Sequence, residues 1–485
     1  NVAVCLADVW AQEKLYLGQK AITANQDIPQ NHKIALDDIK KGQAVIKYGF
    51  PIGVATQEIK IGDWAHTHNI KTLLDKAKDY NIPLKQPQVS EECFENFSKR
   101  TFKGYLRPNG SVGIRNEIFI LPTVGCVNEI CSTIAALAVM ATGKEDIYAF
   151  KHPYGCSQLG EDHKNTQKIL KGLAHHPNAG GVLIVSLGCE NNNLQEFKKV
   201  LGDYDPERVR FLLAQDEGDE IQRGAQIIKE LVELTRRDTR QDISLSYLNI
   251  GLKCGGSDAL SGVTANPLVG SACDALSGLG ASVIMTEVPE MFGAEHILME
   301  RSKDKKVQDD IINMVNNFKE YFISRGESVS ENPSPGNKEG GITTLEEKSL
   351  GCIQKGGKST VNAVLRYGEI LAQKGLNLLE GPGNDMVAQT ALTAAGAHII
   401  LFTTGRGTPL GAPAPTIKIS TNTKLYESKP SWIDFDAGRL LYGHTMEQLR
   451  DELLELVIKT ANGQKTKNEL NGYREIAIWK NGVTL

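Results

Sequence analysis

The most constraining feature of this chain is a local pattern that recurs along most of its length. A short apolar run stops at a glycine-containing turn, and a helix-like stretch follows. Ile118–Val124 ends in Gly125-Cys126 before a helical stretch to Thr142. Ile147–Phe150 leads into His152-Pro153-Tyr154-Gly155-Cys156, then a helix with Ile169, Leu170 and Leu173 on one face. Val182–Leu187 runs into Gly188-Cys189-Glu190, and Val209–Ala214 meets Gln215-Asp216-Glu217. After the polar stretch Thr235–Asp242 the pattern resumes with Tyr247–Leu252, Ser282–Thr286, Leu376–Leu379 and Ile399–Thr403. Strands alternating with helices predict α/β units with mainly parallel sheets and crossover helices.

The front of the chain is built differently. Short runs such as Val2–Leu6, Lys33–Leu36 and Ala44–Tyr48, separated by Gly, Pro, Asn and Asp, predict a small β-rich domain over residues 1–86. Residues 87–100 are expected to be a linker, 101–240 the first α/β part and 241–485 the second. A chain of 485 residues is long enough for such a division. Glu331–Gly351, rich in Pro, Gly, Asn and Lys, is expected to be a long functional loop.

A net charge of -4 gives no reason to expect nucleic acid as a partner. No apolar run reaches the roughly 20 residues of a membrane span, and the first residues lack a signal-peptide pattern. Nine scattered cysteines, an odd number, predict a reducing cytoplasmic setting rather than a disulfide scaffold.

Ligands of open α/β sheets bind beyond the carboxyl ends of the strands. That rule collects Cys126, Cys156, Cys189, Asp216, Cys254, Glu287, Asn384, Asp385 and Arg406. Cys156, Cys189 and Cys254, each beside glycine, are candidate metal ligands, because soft thiolates suit iron, iron–sulfur clusters or zinc. Their spacing is not that of a structural zinc site. His66 and His68 would share one face if Ala65–Asn69 is extended, and could then bind a metal or shuttle a proton; two partly exposed histidines on a polar strand are the slightly simpler reading. Arg115 and Arg406 are candidate carboxylate clamps, although Arg115 is as readily a surface residue. Gly381, Gly383, Asn384 and Asp385 open a helix that could bind an anion. Lys338 and Lys348 are candidate proton-transfer groups.

The blocks ILPTVGCVN (120–128), YGCSQLGEDH (154–163), CGGSDALSGVTANP (254–267), NPSPGNKEGGITTLEEKSLG (332–351), LLEGPGND (378–385) and TTGRGTPLG (403–411) resemble the altronate and galactarate dehydratase family. The resemblance spans essentially the whole chain. IKYGFPIG (46–53) and AHTHN (65–69) are similar to that family's SAF-type (β-clip) domain. It implies a hydro-lyase that turns a hexonate, D-altronate foremost, into 2-dehydro-3-deoxy-D-gluconate and water, with galactarate or a related hydroxy acid as the alternative substrate. It also implies iron, as Fe2+ or an iron–sulfur cluster, with Mn2+ as the alternative. On this reading Cys156, Cys189 and Cys254 hold the metal, while His66, His68, Lys338 and Lys348 move protons. Arg406, Arg115 and Gly381–Asp385 hold the sugar acid, and assembly into a homo-oligomer stays open. A nucleotide-dependent oxidoreductase is disfavoured, since no dinucleotide fingerprint follows a strand. A non-catalytic sugar-acid sensor is the remaining rival.

Overall fold

The computed structural model describes residues 1–74, 80–85, 89 and 94–484. Much of the expected linker, residues 87–100, lies outside the described residues; its last part forms a short 3-10 turn, Glu95–Phe97, before a strand begins at Thr101.

The N-terminal module is β-rich as expected. Val2–Val4, Lys33–Ala35 and Trp64–Ala65 form one antiparallel sheet, and Ala44–Lys47, Phe50–Ala55 and Ile70–Lys71 form another. The hairpin between Lys47 and Phe50 turns on Tyr48 (φ +58°) and Gly49 (φ +81°). Two successive positive φ angles match the twist of paired strands. At a tyrosine this conformation is uncommon, and it aims the ring at the rest of the molecule.

The first α/β unit holds a four-stranded parallel sheet in the order Ile147–Ala149, Glu117–Pro122, Ala179–Ser186, Val209–Leu213. Alternate residues serve opposite faces. Ile118, Ile120, Leu183 and Val185 pack with the helices Asn128–Thr142 and Glu220–Thr235. Phe119, Leu121, Val182 and Ile184 share a core with Leu379, Leu392, Ile400 and Phe402 of the second unit. Burial of both faces explains the continuous apolar runs. The helical stretch Gly125–Thr142 is long and apolar enough by composition to cross a membrane. Here its Cys131, Ile134 and Ala138 pack on the small sheet.

The second unit is a seven-stranded parallel sheet. Its order is Val361–Leu365, Gly375–Leu379, Ser282–Met285, Asn249–Cys254, Ile399–Thr404, Thr416–Ser420, Phe435–Asp436.

One strand was unforeseen and one expectation needs correction. At the end of the polar stretch, Gln241–Ser244 pairs antiparallel with Thr101–Leu106 in a small separate sheet. Polar alternation at a solvent-facing edge hid that strand. Glu331–Gly351 is not a loop throughout. It contains the helices Pro335–Glu339, closed by a Ser334/Asn337 capping box, and Leu345–Cys352, capped by Thr344.

Candidate active site

Asn249–Cys254 is the central strand of the large sheet. The next strand in the chain lies on one side of it and Ile399–Thr404 on the other. Crossovers leaving in opposite directions open a crevice at the carboxyl edge. Four segments converge there: Lys253-Cys254 at the strand end, the 3-10 turn Val288–Met291, the end of the helix Leu345–Cys352, and the turn Ile353–Gly356.

Cys254 Sγ lies 3.4 Å from Cys352 Sγ and 3.0 Å from Glu290 Oε2, and Cys352 Sγ lies 3.1 Å from the same oxygen. Lys355 Nζ donates to Cys254 Sγ (2.8 Å) and Glu287 Oε2 (2.7 Å). Lys348 Nζ pairs with Glu290 Oε1 at 2.8 Å, and Lys253 bridges Glu287 and, at 2.8 Å, Asp385. All these groups are buried except Asp385, whose side chain is 34% exposed and forms the mouth. Burial alone would raise the Glu290 carboxyl, but Lys348, Lys253 and Lys355 hold it well below its ordinary value. Burial alone would deprotonate Lys348, yet Glu290 keeps its ammonium above the usual range. The hydrogen bond with Cys254, then burial, pushes the Cys352 thiol up.

Cys254, Glu290 and Cys352 form a donor set that could hold a metal ion. Charge supports the fit. Three ammonium groups already face three carboxylates, so a divalent cation that displaces two thiol protons leaves the buried cluster neutral. That satisfies the requirement that buried charge be paired.

The N-terminal module closes one side of this site. Lys33 and Lys47 both grip Glu347, at 2.9 and 2.8 Å, in the first turn of the helix that ends at Cys352. A narrow cleft between module and sheet is lined by Lys47, Tyr48, Ser257, Asp258, Lys348 and Cys352. The buried Ser257 hydroxyl there has no hydrogen-bond partner among the described residues. A Cβ at Gly262 would meet the Tyr48 hydroxyl at 2.5 Å, so glycine is what lets the tyrosine in.

The structure sorts the residues named from the sequence. Cys254 and Lys348 belong to the buried cluster, and Asp385 joins it through Lys253. Gly381 and Gly383 line the adjoining turn: added Cβ atoms would lie 2.8 Å from Thr286 Oγ1 and 3.9 Å from Glu290 Oε1. The Asn384 side chain caps its own helix by accepting from Val387 N–H (3.1 Å). Arg406 sits at the rim, half exposed, donating to the Gly336 carbonyl (3.0 Å) beside Glu339 (3.3 Å). Lys338 is exposed on the neighbouring short helix.

Three groupings are corrected. Cys156 and Cys189 do not join Cys254: they are exposed at the edge of the small sheet, and the thiol that meets Cys254 is Cys352. Arg115 is no carboxylate clamp for a ligand. It is buried, its guanidinium holds Glu469 at 2.7 and 2.9 Å, and its remaining N–H groups go to main-chain carbonyls. His66 and His68 do not share a strand face, because residues 66–69 form a turn in which Asn69 N–H donates to the His66 carbonyl (3.0 Å). His66 is buried against Thr343 Oγ1 (3.0 Å) and stacks on Trp64, whereas His68 is exposed at that ring's edge. The ring beside His66 is His32, with centroids 4.6 Å apart.

Glu290, Cys352, Lys253, Lys355 and His32 were missed. Glu290 follows Glu287 by three residues in a turn that periodicity does not register. Cys352 ends a helix concealed inside an apparent loop. Only the fold brings either to Cys254.

Family comparisons agree along the chain. Residues 1–73 match the Altronate/galactarate dehydratase SAF domain, 104–236 the second domain of D-galactarate dehydratase/Altronate hydrolase, and 245–484 the C-terminal domain of D-galactarate/Altronate dehydratase. Altronate dehydratase of Bacillus subtilis (strain 168) is 50% identical over 490 residues, covering 100% of this chain and 98% of that protein. Altronate dehydratase of Escherichia coli (strain K12) is 49% identical over 489 residues, with the same 100% and 98% coverage. Galactarate dehydratase (L-threo-forming) of Escherichia coli is 33% identical over 462 residues, 91% of this chain and 87% of that protein. By architecture and by full-length similarity, the chain belongs to the altronate/galactarate dehydratase family.

Proposed function

We propose that this chain is a hydro-lyase that removes water from D-altronate to give 2-dehydro-3-deoxy-D-gluconate. The observation that carries the reading is the buried meeting of a thiol–carboxylate donor set with protonated lysines at the switch point of the large sheet. The similarity to altronate dehydratases over the full length directs the choice of substrate.

Cys254, Glu290 and Cys352 would hold the metal, proposed to be iron with manganese as the alternative, since two sulfur donors favour the softer ion. When bound, a divalent cation supplies Lewis acidity toward the sugar-acid oxygens. The other roles fall to the chain itself. Lys348, kept protonated by Glu290, is placed to give a proton to the departing C3 hydroxyl. Asp385 and the glycine turn Gly381–Gly383 leave room for the polyol at the mouth, with Arg406 at the rim to meet the carboxylate. Ser257 offers an uncommitted hydroxyl inside the cleft. His66, which burial first and then Lys33 hold down to about 3, is neutral at working pH but too weak a base to be given the C2 proton; its ring meets Thr343 Oγ1 at 3.0 Å instead. Among the described residues the cysteines are free thiols, which fits a reducing cytoplasm.

The test is turnover of the anaerobically purified, ferrous-loaded protein on D-altronate, galactarate and other hexonates, scored as 2-keto acid. Preference for D-altronate is expected. Preference for galactarate would move the assignment within the family, and no keto acid from any of them would end the hydro-lyase reading.

A further inference from the structure

The cysteines left out of the buried cluster form a pattern of their own. Cysteine is among the residue types most often buried. Cys5, Cys131, Cys254, Cys273 and Cys352 obey that preference, whereas Cys126, Cys156 and Cys189 are exposed. These three exceptions follow three neighbouring strands of the small sheet, with the Cys126 strand, Glu117–Pro122, between the other two. Parallel pairing runs the strands the same way, so all three thiols leave the sheet at one edge. Adjacent strands there lie about 4.8 Å apart.

The loops that carry them are tied together. Gly125 N–H donates to the Tyr154 carbonyl (2.8 Å), and Asn192 N–H donates to the Gly155 carbonyl (2.9 Å). Ser157 N–H donates to Asn191 Oδ1 (3.0 Å), and Asn192 Nδ2 donates to the Thr123 carbonyl (3.1 Å). Gly155 has φ +101°, and a Cβ there would lie 2.0 Å from the Thr123 carbonyl oxygen, so only glycine lets the outer loop seat on the middle one.

Donors suited to sulfur surround this edge. Cys126 precedes the helix Asn128–Thr142 and Cys156 precedes Gly160–Ala174; neither helix start has a side-chain cap. Their first N–H groups therefore lack partners within the helix. Gln158, 3% exposed, spends its oxygen on Gly155 N–H and the Thr166 hydroxyl, while its buried Nε2 has no acceptor among the described residues. Gln215 Nε2 already donates to Cys189 Sγ at 3.7 Å.

Among the described residues, these three thiols are not among the groups close enough to share one small ion, unlike the set at Cys254. An iron–sulfur cluster relaxes that demand, because each thiolate binds its own iron and bridging sulfides hold the irons apart. We propose that Cys126, Cys156 and Cys189 hold an iron–sulfur cluster through three thiolates, each thiol losing its proton as Sγ binds iron. Three protein ligands leave one iron position of a cubane cluster open to an exchangeable oxygen ligand. Hydrogen bonds from Gln158, Gln215 and the helix starts would set its potential. The site is separate from the Cys254 donor set, and the proposal does not rest on the dehydratase reading.

The test uses the full chain, purified without oxygen and incubated with ferric iron, sulfide and excess dithiol. Bound iron with acid-labile sulfide and a broad visible charge-transfer band are expected. Cys126→Ser, Cys156→Ser and Cys189→Ser, alone and combined, should lose sulfide and band while keeping the wild-type circular dichroism, because these side chains are exposed. Cys352→Ser should keep both. Failure of the wild-type chain to bind sulfide, or binding of zinc alone, would overturn the proposal, as would a triple variant with an unchanged band.

Discussion

Glu347 is a carboxylate on which two parts of the molecule depend. Burial alone would raise its carboxyl, but Lys33 and Lys47 hold it down to about 2. Burial meanwhile pulls Lys33 down to about 8. Removing the carboxylate strands two buried ammonium groups, and breaking such a pair costs about 3–5 kcal/mol. Glu347→Gln should therefore lower the denaturant midpoint of the folded protein and release the N-terminal module to proteolysis. A folded pKa below the ordinary glutamate value of about 4.3 contributes stability above that pH, lost as pH falls toward 2. Lys348 is a residue of different purpose, since its ammonium faces the donor set rather than the module. Lys348→Met should lower kcat by about 10²–10⁴, the range for a lost acid catalyst, and should change KM far less. An equal rise in KM with kcat intact would make it a binding group instead.

Among the elements, the helix Leu345–Cys352 carries the most consequence. Its first turn offers Glu346 to Thr72 and the Leu73 N–H, and Glu347 to Lys33 and Lys47. Carboxylates in a first turn also suit the helix dipole. Its last residue is Cys352, so one short helix links module docking to the donor set. The turn before it depends on Gly341, with φ +92°, where a Cβ would lie 2.1 Å from the Asn31 carbonyl oxygen. Gly341→Ala should cost about 1–3 kcal/mol through backbone strain and should push the module off its seat. The checks are thermal unfolding and turnover together, with activity expected to fall even where the chain stays folded. In the sequence this helix was concealed by its Pro-, Gly- and Lys-rich surroundings. Its burial comes from partners nearly 300 residues away, which no local period records.

At the scale of the whole molecule, acid sensitivity is built into the packing. Burial holds His66 down to about 3, His152 and His176 to about 4, and His398 to about 3. Each is neutral when folded and takes a proton near 6.5 when unfolded. A folded pKa below the unfolded value means that the unfolded chain binds more protons in between, so stability is intact above about pH 6.5 and declines from there toward pH 3. Thermal midpoints across that range should fall steadily, and a flat profile would contradict neutral burial of these rings. The two units also share a core, through Phe119, Leu121, Leu392 and Phe402, and ion pairs such as Arg115–Glu469 and Arg474–Glu117 cross between them. The small unit is therefore not expected to fold alone.

The amino-acid order determined the class of fold because periodicity and glycine-punctuated strand ends are local properties, and parallel α/β sheets follow from them. It also placed Cys254, Lys348 and Asp385 at strand ends or in the segment beside them, where the cluster lies. Tertiary structure decided which thiols meet, because sheet order is set by long-range packing. Cys156 and Cys254 obey the same local rule yet end on different sheets, while Cys352 reaches Cys254 across 98 residues. It decided likewise that Arg115 braces the fold and that His66 is buried while His68 is not, since a side chain's surroundings come from what packs against it.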